Sequence, residues 1–269
     1  MRLRYEGGSS FIHRLNPLTR LLVLVAYSVS IFMFSSLTAE LLCFLAMLAI
    51  AAWLRSRTLA SLVTSKYFIS FALLIVAVQA LFTGGGGLIV SVPLVLFTVN
   101  ITTMGVYNGL LIAFRFLTII LGSAIFIVTT EPNELAYALM KAGLPYRFGF
   151  MIVTAIRFLP VFESEAGTVR NAQAARGLEI DSGGIKSVIK IVRFTLMPLI
   201  VSALSKVDVL VISMESRAFG YSRARTFTRS RPFRATDAVI SATAVAIVAV
   251  LALNLWLHFL TMPASFTFP

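Results

Sequence analysis

Two arginines sit in surroundings that nearly repeat. Arg176 stands in Gln173-Ala174-Ala175-Arg176-Gly177, and Arg217 in Glu215-Ser216-Arg217-Ala218-Phe219-Gly220. Each follows a helix-forming run and precedes a glycine able to take the left-handed conformation that ends a helix. A cation in the last helical turn is favoured by the helix dipole, by about 0.3 to 1 kcal/mol at an exposed site. One reading is therefore two well-capped helix ends. The other starts from the small neighbours Ala174, Ala175, Gly177, Ser216 and Ala218, which leave each guanidinium unobstructed. Its rigid fork can then pair with carboxylates on another protein. Spacing alone leaves both readings open.

Few other residues have the types and spacing for chemistry. No G-x-x-x-x-G-K-[ST] occurs, and Gly84 to Gly87 lacks the lysine a phosphate-cradling loop needs. The acids are scattered, so neither a metal-holding cluster nor a nucleophile with its base is evident. His13 reads as a surface residue near the first helix, and no metal site and no cofactor of the chain's own are expected. Cys43, the single cysteine, lies in an apolar run and allows no internal disulfide.

The elements that position the two arginines follow from hydropathy. Of 269 residues, 58% are hydrophobic and 13% charged, against roughly half and a quarter in soluble domains. This is a membrane protein. Asn16-Pro17 reads as an N-cap with proline at the first helical position, and the run from Leu18 ends at Phe34. Further apolar runs cover 37–54, 67–82, 105–128 and 238–260, each about long enough to span a bilayer. The stretch 88–99 is too short to cross, contains Pro93, and is expected to lie in or re-enter the membrane.

Five crossings put the termini on opposite sides. Arg2, Arg4, Arg14 and Arg20 precede the first run, and Arg55, Arg57 and Lys66 join the second to the third. All later Lys and Arg except Arg115 fall between Lys141 and Arg234, whereas the intervening loops and the tail carry none. By the positive-inside rule the N-terminus is cytoplasmic and the C-terminus outside. The division expected is 1–130, a membrane domain of four spans; 131–235, a cytoplasmic block; and 236–269, the last span with an outer tail.

The cytoplasmic block has helical patterning of its own. Residues 131–134 start a short amphipathic helix that Gly143 closes. The run 150–176 is helical with a kink expected at Pro160. Gly183-Gly184 breaks the chain, after which Lys186, Lys190 and Arg193 recur on one face, with Ile185, Val188, Ile189 and Val192 on the other. From Pro198 a further helix presents Ile200, Leu204, Val207, Val211 and Met214 at steps of four and three, a seam for internal packing or for a partner helix.

Arg115 lies near the middle of the fourth span, where a charge needs a partner, water or a protein-facing side; Glu40 and Gln79 are the candidates. Arg223, Arg225, Arg229, Arg231 and Arg234 form a juxtamembrane basic run that attracts anionic lipid. Its aromatics follow no RNA-binding motif, so nucleic acid is not an expected partner.

"FIHRLNPLTRLL", "QALFTGGGG", "AIRFLPVFESEAGTVRNAQAARGLE" and "SALSKVDVLVISMESRAFGY" occur in this order. Together they resemble the transmembrane T component of energy-coupling factor transporters, from residue 9 to about 222. Ala175-Arg176-Gly177 matches the family's Ala-Arg-Gly motif, and Ser216-Arg217-Ala218 departs from it while keeping the arginine and its small flanks. The resemblance implies an all-α polytopic membrane protein whose cytoplasmic coupling helices end in these motifs. It further implies docking on two ABC-type ATPase subunits, which bind the ATP, and an embrace of a membrane-embedded S component that captures a vitamin or transition-metal ion. Arg157, which also fits the family's pattern, is expected to anchor the membrane end of the first coupling helix, with Glu163 or Glu165 as its ion partner. The rival class is a self-sufficient secondary transporter or channel, and a prokaryotic cell membrane is the expected location in either case.

Overall fold

A computed structural model describes residues 5–8, 10–34, 36–93, 98–178, 189, 191–221 and 232–261. Lys186, Lys190, the Gly183-Gly184 break and the arginines at 2, 4, 223, 225, 229 and 231 lie outside these residues. The chain divides into two compact units, Met1–Ala138 with Arg231–Pro269, and Leu139–Ser230.

The first unit is a helical assembly. Its elements are α1 (Phe11–Arg14), α2 (Pro17–Met33), α3 (Leu37–Trp53), α4 (Arg57–Val63), α5 (Lys66–Phe82), α6 (Thr103–Thr129) and α10 (Ala235–Thr261). The expected start of α2 is present: Pro17 occupies the first turn and the Asn16 side chain accepts from Leu18 N at 3.0 Å. At the centre lies α6, packed by α2, α3, α4 and α5. Leu121, Ala124, Ile125 and Val128 of α6 close a core with Ala51 and Leu59. Outward-facing Leu42, Leu73, Phe82 and Val250 are exposed, the face hydrocarbon requires.

One close approach explains a pattern the hydropathy runs hide. A Cβ on Gly105 would lie 2.9 Å from Thr83 O, and one on Gly109 would lie 3.1 Å from both Val76 Cα and O. These two glycines, four apart, let the α5 backbone press onto α6. The spacing was legible in the sequence and the partner was not.

Among the described residues four helical stretches are long and apolar enough to cross a membrane: Arg57–Phe82, Thr103–Thr129, Val192–Glu215 and Ala235–Asn254. The apolar helices Pro17–Met33 and Leu37–Trp53 have 17 residues each, the short end of the spanning range. Val192–Glu215 was expected in the cytoplasmic block. It qualifies by length and mean hydropathy although Lys206 and Asp208 lie within it.

The short apolar stretch after α5 contributes two antiparallel strands. Here β1 (Leu88–Pro93) pairs with β2 (Thr98–Thr102), Val92 opposite Val99. Both strands are rich in β-branched residues, and Pro93 sits at a strand end, where its missing N–H costs least.

His13 is buried rather than on the surface, its Nε2 3.2 Å from Glu6 O. Arg20, also buried, donates to His13 O at 2.6 Å, Leu15 O at 2.8 Å and Thr129 O. The Glu6 carboxylate accepts from Ser56 and Thr58, bonds that hold it below the usual carboxylate range. Asp237, at the start of α10, accepts from the backbone N–H groups of Asn16 and Arg234, both at 2.9 Å. The ends of α2, α4, α6 and α10 are thereby tied together.

Of the two candidate partners, Arg115 takes Glu40. Nε donates to Glu40 Oε1 at 2.8 Å, Nη2 donates to Phe34 O at 2.6 Å, and the guanidinium lies 5.4 Å from the Phe32 ring centre. The Glu40 side chain is fully buried. Gln79 instead accepts from Thr83 Oγ1 at 2.6 Å. Removing one member of a buried pair strands the other charge, at a cost of roughly 3 to 5 kcal/mol, whereas replacing both with apolar residues is often nearly neutral. Glu40→Ala should therefore destabilise the detergent-solubilised protein far more than Glu40→Met with Arg115→Met, as measured by denaturant unfolding.

Candidate functional site

The second unit is built on two long helices. The first, α8 (Tyr146–Ala175), has 30 residues and runs unbroken through Pro160. Helix α7 (Pro132–Lys141) precedes it and ends where expected, with Gly143 at φ 118° and Leu144 N donating to Leu139 O at 3.0 Å. The second long helix is α9 (Met197–Glu215), entered through a π-helical turn, Val192–Leu196.

Three contacts show that α8 and α9 run antiparallel. Gln173 Nε2, near the end of α8, donates to Phe194 O at 3.2 Å. Glu165 accepts from Lys206 Nζ at 2.7 Å and from Ser202 Oγ at 2.8 Å. Phe219, just past α9, has its ring centre 5.1 Å from that of Phe150 and 6.3 Å from that of Tyr146, at the start of α8. Lys206 above all, then Ser202, hold the Glu165 carboxyl below the usual carboxylate range. Glu165, one of the two partners expected for Arg157, is thus engaged across the helix pair instead.

Both arginines occupy one structural position. Arg176 N donates to Gln173 O at 3.1 Å, Gly177 N to Ala174 O at 2.9 Å and Leu178 N to Gln173 O at 3.1 Å. At the second end, Arg217 N donates to Met214 O at 3.2 Å, Ala218 N to Glu215 O at 2.9 Å and Phe219 N to Met214 O at 2.9 Å. The register is the same bond for bond. This is the Schellman closure, with the arginine as the last half-helical residue and the next residue in the left-handed region. Gly177 has φ 77°, and Ala218 reaches the same region at φ 52°. The departure of Ser216-Arg217-Ala218 from the first motif therefore leaves the turn intact. Its cost is a side chain in a conformation disfavoured by roughly 1 to 2 kcal/mol.

Ala175, Arg176, Ser216, Arg217 and Ala218 are exposed, and a Cβ on Gly177 would have open space around it. Since Phe219 rests beside Phe150, the two turns lie at opposite ends of the helix pair. At 1.5 Å per residue the 26 residues from Phe150 to Arg176 separate them by about 40 Å.

The apolar seam of α9 faces outward. Ile200, Leu204, Val207 and Val211 are 45% to 60% exposed, and Met214 is half-buried. About half of each of the first four side chains is thus left uncovered. The face turned to α8 carries Ser202 and Lys206 instead. Apolar residues surround most of α9, so periodicity offers several stripes, and the bonds to Glu165 choose the inner one.

What spacing missed are the braces: Phe219 on Tyr146 and Phe150, Gln173 on Phe194 O, and Glu165 on Lys206 and Ser202. A residue after a left-handed cap commonly packs on the last turns of its own helix, whereas Phe219 packs on the other helix. The other two are pairings between distant segments, with no local signature.

Similarity to known proteins bears on the same two turns. The profile of the cobalt transport protein family, CbiQ, matches residues 8–227, a span that includes both arginines. The chain belongs to this family. It is 33% identical over 252 residues to the energy-coupling factor transporter transmembrane protein EcfT of Lactococcus lactis subsp. cremoris, covering 88% of this chain and 91% of that one. Similar proteins of the same description occur in Streptococcus equi subsp. equi (29% identity; 98% and 97% coverage) and Listeria innocua (30%; 87% and 90%). As an EcfT/CbiQ-like T component, the chain is a membrane subunit of a bacterial transporter.

The paired closures make opposite demands on residue 177 and residue 218. Ala218→Gly removes the strained side-chain conformation and should raise stability by about 1 kcal/mol, while Gly177→Ala should lower it by a similar amount. Denaturant unfolding of the solubilised chain, followed by circular dichroism, reads both.

Proposed function

We propose that this chain is the energy-coupling subunit of an importer of the energy-coupling factor type. One ABC-type ATPase subunit docks at the Arg176 turn and a second at the Arg217 turn. Their ATP-driven motion passes through α8 and α9 to a membrane-embedded S component, which captures a vitamin or transition-metal ion. The chain holds no nucleotide in this scheme and performs no bond chemistry.

The observation that carries the reading is the identical geometry of the two turns at opposite ends of one helix pair. A single docking partner would need only one such turn. Two equivalent cationic turns about 40 Å apart suit two separate, similar protein surfaces, each receiving one guanidinium. Such an interface needs only a few well-placed arginines to carry most of its energy. The outward seam of Ile200, Leu204, Val207, Val211 and Met214 is then the surface for the S component. A face so apolar and so exposed calls for a partner or lipid.

The charge distribution supports an orientation with the N-terminus and the arginine turns in the cytoplasm, where the ATP is, and the C-terminus outside. The basic residues ahead of α10, among them exposed Arg234, hold this end at anionic headgroups.

Two experiments test the scheme. Arg176→Glu with Arg217→Glu should cut capture of the ATPases by at least ~30-fold while the protein stays in the membrane, because each reversal places an anion where a carboxylate is expected. Capture undiminished by the double change refutes the docking. A periplasmic-type reporter fused after Pro269 should be active, and activity of a cytoplasmic reporter there overturns the orientation.

A further inference from the structure

The two arginine turns share a backbone conformation and differ in the next side chain. Beyond Gly177 comes Leu178, and beyond Ala218 comes Phe219, whose ring seats on Tyr146 and Phe150. Tyr146 and Phe150 themselves stack, with ring centres 6.1 Å apart, so three aromatics form one cluster between the end of α9 and the first turns of α8. Separations of about 4.5 to 7 Å with tilted planes are the attractive arrangement for aromatic pairs.

Geometry links this cluster to Arg217. Phe219 N donates to Met214 O, and Ala218 at φ 52° reverses the chain, so the side chain of Phe219 is thrown back across the helix end. Phe219 is the immediate neighbour of the strained residue, and Arg217 lies on the other side of it. An anchored ring at 219 therefore restricts the direction in which the exposed Arg217 can point. Without that anchor the turn would swing on a strained hinge, since Ala218 gains by leaving the left-handed region. The first turn needs no such anchor, because Gly177 holds the same conformation without strain.

We propose that Phe219 is a positioning residue for Arg217: seated on Tyr146 and Phe150, it keeps the second turn pre-set for its ATPase. This rests on the docking reading above. Arg217 makes the contact, and Phe219 acts through it.

A cycle of variants in the full-length chain tests the proposal, read as capture of the two co-expressed ATPases from solubilised membranes at matched amounts of the chain. In an Arg176→Glu background, where the second turn alone holds an ATPase, Phe219→Ala should reduce capture by about tenfold, and Phe219→Trp should restore most of it. In an Arg217→Glu background, where the first turn alone holds, Phe219→Ala should change capture by less than about twofold. Equal losses in both backgrounds would mark Phe219 as a general support of the fold and overturn the proposal while the docking reading stands. No loss in either background overturns it also. If neither arginine reversal lowers capture, docking itself fails and the positioning role falls with it.

Discussion

A helix leaves its last carbonyl groups without partners, and hydrocarbon supplies no water to solvate them. Among the described residues, that need recruits Arg20 and Arg115. Arg20 donates to the carbonyls of His13, Leu15 and Thr129, closing the ends of α1 and α6 together. Arg115 does the same for Phe34 at the end of α2 while its other side meets Glu40. Each arginine thereby fastens one helix end to another helix. Sequence alone marks these charges as membrane-edge and mid-span features, and their roles as carbonyl donors come from the packing.

The same need, met by backbone alone, shapes the two exposed turns. Where a helix ends without a side-chain donor, the chain reverses through the left-handed region and its own N–H groups satisfy the carbonyls. This closure leaves the arginine side chain outside the bonding pattern and free to project. The turn at 176 achieves it with glycine and the turn at 217 with alanine, under strain. A turn made this way is bare because its neighbours are small, and in the proposed scheme it is the docking point.

The proposed scheme, in which this chain transmits motion, depends on stiffness between the places where it is pushed and where it pushes. Here α8 and α9 are joined at both ends and near the middle: Gln173 on Phe194 O, Glu165 on Lys206 and Ser202, Phe219 on Phe150. Each helix end is tied to the beginning of the other helix. In the proposed scheme a displacement at either arginine is then shared by both helices, and the exposed seam of α9 moves with them. The middle tie is ionic and only partly buried, so its contribution on its own is modest.

The sequence alone determined the membrane class, the approximate helix runs, the cap at Asn16-Pro17, the closing glycine at 143 and the two arginine turns. These depend on local quantities: apolar length, dipole, and the φ a residue tolerates. Glu40 was also named, as one of two candidates, because a mid-span cation demands a partner. Only tertiary structure chose between Glu40 and Gln79, buried His13, and paired strand Leu88–Pro93 with strand Thr98–Thr102. It turned the seam of α9 outward and brought Phe219 to Phe150. Such outcomes depend on which distant segment arrives at a given face, and a helix apolar on most sides carries no local mark of that choice. The left-handed Ala218 belongs here too, since no rule of local propensity places alanine at a positive φ, and only the closure around it and the ring packed beyond it hold it there.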